Sequence, residues 1–102
     1  LRVVATAALA QTLVALHRAG QSAALIAHSS SAASLPARSW YLLPDEAEGF
    51  ARGLYAALRT ADRGGCDVIV VEAVPDRPEW AAVADRIRRA AVGSCTVEEA
   101  IR

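Results

Sequence analysis

The run Val68-Ile69-Val70-Val71 constrains the fold more than any other stretch of this chain. Four β-branched residues in succession favour a strand and resist a helix. No polar residue alternates with them, so both faces of that strand have to be covered, the situation of a parallel sheet with helices on each side. Asp67 and Glu72 bracket the run and mark its ends. Strands joined through helices run parallel, because only a crossover returns the chain to the same edge of the sheet.

The segments around this strand have the helical period. Ala47, Phe50, Ala51, Leu54, Tyr55, Leu58 and Ala61 recur at i, i+3, i+4 and i+7, which predicts an amphipathic helix opened by Asp45 and stopped by Gly64-Gly65. Trp80, Val83, Ala84, Ile87 and Ala91 predict the buried face of a second helix, with Asp76 and Glu79 spaced as a capping box. Tyr55 and Trp80 are expected in the core. Upstream, Leu9, Leu13 and Leu16 with Ala10 and Val14 predict a third helix, capped by Thr6 and ended by Gly20. Arg2–Ala5 reads as a short buried strand, Ser22–Ala27 and Ser39–Leu43 complete the strands, and Thr96–Glu99 offers a short last turn. The order β-α-β-β-α-β-α describes a three-layer, Rossmann-like α/β domain with a mostly parallel sheet. Residues 1–102 make one domain. The chain starts on Leu1 and contains no Met, as expected of a fragment of a longer polypeptide.

Composition narrows the function classes. Eleven basic residues, all arginine, balance eleven acidic ones, and the signs are interspersed. No basic face for direct nucleic-acid binding is expected from that distribution. The apolar runs Ala23–Ala27 and Val68–Val71 fall far short of the ~20 residues of a membrane helix, so a soluble, cytoplasmic domain without membrane contact is expected. Cys66 and Cys95 have no CxxC partner and are expected as free thiols. Two histidines, His17 and His28, and two cysteines at scattered positions match no metal-ligand spacing.

In open parallel sheets, ligands gather beyond the carboxyl ends of the strands. Those ends carry Thr6, His28 with Ser29–Ser31, Asp45 with Glu46, and Glu72 with Asp76. There is no GxGxxG, no GxxxxGK[ST] and no GxSxG, so neither a phosphate cradle nor a nucleophile elbow is present. His28 beside three serines reads as a solvated loop, because adjacent residues rarely face one another as base and nucleophile. Glu72 at the end of the apolar strand is the more telling residue. Its ordinary role is to face water or pair with an arginine, and its functional role is to serve a ligand or a neighbouring domain. Asp85 is spaced to pair with Arg88 and Arg89 on a solvated helix face. No catalytic constellation emerges.

One set of residues points further. Leu54-Tyr55-Ala56-Ala57-Leu58-Arg59, Asp62, Asp67 to Ala73, and Asp85-Arg86-Ile87-Arg88-Arg89-Ala90-Ala91 follow one another in an order and spacing that resembles the C-terminal domain of two-domain threonylcarbamoyl-AMP synthases, the YrdC/Sua family. The likeness is clear over residues 50–91. It departs at Pro78-Glu79-Trp80, where the family carries a glycine-rich stretch. The resemblance implies a Sua-type accessory domain, without catalytic, metal-binding or cofactor residues of its own. It implies a YrdC-like catalytic domain upstream in the same chain, which takes ATP, threonine and bicarbonate, with magnesium, for tRNA threonylcarbamoyladenosine modification. Arg59, Asp62, Glu72, Asp85 and Arg86 are then candidates for interdomain or ligand contacts. Two other classes stay open: a Rossmann-like module binding a nucleotide or anion at the strand ends, and a small hydrolase using His28 and a serine.

Overall fold

A computed structural model describes residues 1–29 and 34–92, with side chains through residue 90. Strand β1 (Arg2–Val4) passes through a 3-10 turn (Thr6–Ala8) into helix α1 (Leu9–Arg18). Strands β2 (Ala23–Ala27) and β3 (Ser39–Leu42) follow, then helix α2 (Ala47–Arg63) and strand β4 (Val68–Glu72). A 3-10 turn (Pro78–Trp80) leads into helix α3 (Ala81–Val92). The described strands form one parallel sheet in the order β1-β4-β2-β3. The three-layer α/β architecture expected of the alternating pattern is present, and β4, apolar as far as Glu72, occupies an inner position.

Helix α1 covers one face of the sheet, and α2 with α3 covers the other. Leu9, Leu13 and Leu16 pack on Ala23, Leu25, Ala27 and Val70. On the opposite face, Phe50, Leu54 and Ala57 of α2 and Val83 and Ile87 of α3 meet Ile26, Val71 and Trp80. Every residue of β2 is buried, as an inner strand with two covered faces requires. Trp80 is 4% exposed, as its phase with Val83 and Ile87 predicts.

The helix ends follow their glycines. Gly20 takes φ +78°; its N–H bonds the His17 carbonyl at 3.0 Å, and the Gln21 N–H bonds Leu16 at 3.0 Å. These are the two bonds of a Schellman motif, which needs a left-handed residue at this position. Gly65 is likewise left-handed after α2 (φ +72°), with its N–H 3.5 Å from the Asp62 carbonyl.

Several local expectations are corrected. Tyr55 is 69% exposed, because α2 turns the stripe Phe50, Leu54, Ala57 and Ala61 inward and leaves Tyr55 off its flank. Ala10 and Val14 likewise lie on the outer side of α1. Strand β1 is an edge strand, with Val3 45% exposed, rather than a buried one. Helix α2 is capped by Glu46, whose carboxylate accepts from the Gly49 N–H at 2.7 Å, one residue later than Asp45. The Asp76–Glu79 capping box does not form. The Arg77 N–H bonds the Pro75 carbonyl, the 3-10 turn starts on Pro78, and Arg77 takes the cap position with no side-chain bond. Gly93, Cys95 and the expected turn at 96–99 lie outside the described residues, and Cys66 is a free thiol whose Sγ approaches the Ala61 carbonyl at 3.5 Å.

Candidate functional site

All strands point the same way, so their carboxyl ends share one edge of the sheet. Strand β4 lies between β1 and β2, and the register sets Glu72 beside Val4. The chain leaving β1 and the chain leaving β2 therefore rise on either side of the Glu72 carboxyl. Each supplies donors. Oε1 accepts the backbone N–H groups of His28 at 2.9 Å and Ser29 at 3.1 Å. Oε2 accepts the hydroxyls of Thr6 at 2.6 Å and Ser29 at 2.8 Å.

Glu72 is fully buried and pairs with no arginine among the described residues, which corrects the expectation of a solvated or Arg-paired strand end. Burial in itself pushes its pKa up. The Thr6 hydroxyl, the His28 amide and the Ser29 hydroxyl and amide outweigh this and hold it below the ordinary glutamate value. The carboxylate is thus an anion solvated by the domain itself.

His28 stands over this cage with its side chain 9% exposed. Its Nε2 lies 3.0 Å from the Ala73 carbonyl, which can only accept, so the hydrogen of that contact sits on Nε2. Nδ1 is 3.1 Å from Asp45 Oδ1 without making a hydrogen bond. The imidazole, Phe50 and Trp80 form a mutual cluster with centroids 5.7–5.8 Å apart. Trp80 is therefore part of the packing under this edge.

The arrangement is a brace across three strand ends. Ser29 gives its proton to Glu72 and His28 gives Nε2–H to a carbonyl, so the two do not make a nucleophile and base. This also corrects the expectation of a solvated loop at His28 and Ser29; Ser30 and Ser31 lie outside the described residues. Among the described residues no group of three His, Cys, Asp or Glu side chains could hold a metal ion. Thr6, assigned from the sequence to a helix cap, instead donates to Glu72, since the 3-10 turn carries its hydroxyl toward β4. The available signal was a polar residue at the carboxyl end of each inner or adjoining strand.

The other candidates lie elsewhere. Arg59 and Asp62 are exposed on the outer side of α2. Arg59 sets its guanidinium 5.1 Å from the centre of the Tyr55 ring, and no bond joins it to Asp62. On α3, half-buried Asp85 pairs with Arg88 at 3.3 Å and Arg89 at 3.0 Å, as its spacing predicts, while Arg86 is exposed. The structure does not bring these four to the Glu72 edge. A shallow hollow of about 480 Å³ opens near that edge, walled by Pro75, Asp76, Arg77, Pro78 and Arg88 over Trp80.

Comparison with known proteins places this arrangement. A solved structure of a Sua5 variant from P. abyssi matches with a TM-score of 0.73 at 28% sequence identity, over 88% of this chain and 29% of that one. The chain thus spans less than a third of that relative's length. A search of curated proteins finds no match. Residues 1–92 match the family model described as the C-terminal domain of threonylcarbamoyl-AMP synthase. With its parallel α/β sheet and this match over nearly its whole length, the chain belongs to the family of threonylcarbamoyl-AMP synthase C-terminal domains.

Proposed function

We propose that this chain is the accessory domain of an L-threonylcarbamoyladenylate synthase, serving tRNA threonylcarbamoyladenosine modification without performing chemistry itself. Its partner is a YrdC-like catalytic domain of the same polypeptide, the part that takes ATP, threonine and bicarbonate, with magnesium. Family membership supports the context. One observation carries the accessory role: Glu72, the acid at the strand ends where such folds do their work, spends both oxygens on Thr6, His28 and Ser29. An acid so engaged is a poor general base, because abstracting a proton means giving up a charge-assisted bond already made. Ser29 is committed in the same way, its hydroxyl proton given to Glu72, and His28 gives its Nε2–H to the Ala73 carbonyl.

No described helix is long and apolar enough to cross a membrane, and the cytoplasmic setting is part of the tRNA-modification reading. The test is product formation from ATP, threonine and bicarbonate, followed as threonylcarbamoyl-AMP and pyrophosphate. The complete polypeptide is expected to form both, and the 102-residue chain neither. Pyrophosphate release by the 102-residue chain alone would end the accessory reading. Saturable binding of ATP or AMP to that chain would favour the nucleotide-module alternative.

A further inference from the structure

The two faces of the sheet are not covered equally. Tyr41 and Leu43 turn into the core beneath α2 and α3. Alternation sends Trp40 and Leu42 to the α1 face, where α1 packs on β2 and β4 and stops short of β3. Both side chains are left open there, 44% and 47% exposed. The Trp40 ring is held in place, its Nε1–H donating to the Leu35 carbonyl at 3.0 Å. Beside it lies a hollow of about 320 Å³ walled by Leu13, His17, Pro36, Ala37 and Arg38. Among the described residues, the charged or basic side chains of its wall are Arg38 and His17, with no carboxylate. The nearby Asp67 is engaged by the amide and hydroxyl of Ser22.

We propose that this β3 side of the α1 face is a docking surface for an acidic segment with an apolar anchor, supplied by the same polypeptide outside these 102 residues. The chemistry follows from the walls: an apolar side chain fills the hollow against Trp40, and a neighbouring carboxylate meets Arg38. The size speaks against a second copy. Trp40 offers roughly 100 Å², and the whole patch is on the order of a few hundred Å², against about 800 Å² per partner in a stable complex. So small a surface holds only a partner kept at high effective concentration by a tether. The register makes a tether from β1 feasible. Arg2, Val70, Leu25 and Trp40 occupy one row across the sheet, so Arg2 and Trp40 are three strand spacings apart, roughly 14 Å. A segment joined to Leu1 needs only a few extended residues to reach Trp40 along the amino edge, past the end of α1.

This inference rests on the domain being part of a longer synthase chain, but its test does not depend on activity. In the complete polypeptide, acrylamide quenching of Trp40 is isolated as the difference between wild type and Trp40→Phe. Trp40 is expected to be shielded, with Arg38→Glu and Leu42→Asp each raising its quenching severalfold while the far-UV spectrum stays unchanged. Both substitutions are at exposed positions, and Arg38→Gln provides a milder check of the charge. Free quenching of Trp40 in wild type would overturn the proposal. So would shielding untouched by Arg38→Glu and Arg38→Gln, or shielding that grows with protein concentration, the mark of a second copy. A polypeptide that shields Trp40 but forms no threonylcarbamoyl-AMP would defeat the proposed function and leave the docking surface standing.

Discussion

Replacing Glu72 by glutamine and by alanine separates the charge of the brace from its geometry. Glutamine has one oxygen where glutamate has two. The His28 and Ser29 amides can only donate, so the glutamine carbonyl has to take the Oε1 place. Its NH2 then faces the Thr6 and Ser29 hydroxyls, which rotate to accept. All four contacts survive as neutral bonds. The loss is the charge assistance, about 1 kcal/mol for each of the four bonds, offset in large part by no longer burying an anion, which leaves Glu72→Gln at about 1–2 kcal/mol. Alanine leaves two amides without a partner, at about 1–3 kcal/mol each, and removes one buried methylene at about 0.8 kcal/mol along with the carboxylate. Water entering past the exposed Thr6 relieves part of this, leaving about 3–5 kcal/mol, a large share of the ~5–15 kcal/mol of a small domain. Urea unfolding followed by far-UV circular dichroism at pH 7 reads both. The acid limb adds a sign. Because the folded pKa of Glu72 is lowered, its contribution is complete above the ordinary value of 4.5 and is lost as pH falls through the depressed folded value. The gap between wild type and Glu72→Gln should hold steady from pH 7 to 5 and close below that. Equal losses for Gln and Ala, or a gap that widens in acid, would refute the brace.

Trp80→Ala should cost about 3–5 kcal/mol in the same unfolding assay, the range for removing a large aromatic from a core, since Phe50 and His28 lose their packing partner. A loss under about 1 kcal/mol would mean the ring is not holding this edge. Arg59→Ala and Arg86→Ala, both at exposed sites, should leave the melting temperature of the domain nearly unchanged, while lowering activity of the complete polypeptide if these side chains serve domain closure. Gly20→Ala meets no atom within 4 Å, so its cost should be the left-handed backbone alone, roughly 1–2 kcal/mol by chemical denaturation.

The layers were legible in the sequence because periodicity carries them. Val68–Val71 announced an inner strand, and Leu9-Leu13-Leu16 and Phe50-Leu54 announced the helices that cover it. Tyr55 was misplaced because a stripe of alanines is wide and shallow: Ala51, Ala57, Ala61 and Leu58 allow two phases, and one ring does not choose between them. The brace was only half visible. Glu72 stood out by position, but its donors come from residues 44 and 66 positions away, and two of the four are backbone amides, which every residue except proline possesses. Side-chain identity cannot announce a bond made by the main chain. His28 and Ser29 looked like loop residues for the same reason, since what they do depends on which strand lies beside β2.

The brace also bears on how the domain assembles. Contact between Thr6 and Glu72 closes a loop of 66 residues, and the amides of His28 and Ser29 close loops of 44 and 43. Each is a slow, entropically costly closure. A half-built sheet in which β4 has docked but the exits of β1 or β2 have not would strand a carboxylate in an apolar setting with too few donors. Such an intermediate is disfavoured by the same group that completes the native state. The buried charge therefore penalises partial pairings of the sheet. If this 66-residue closure is made late, Thr6→Val should accelerate unfolding more than it slows folding in stopped-flow urea jumps, and an equal slowing of folding would place the bond in the transition state instead.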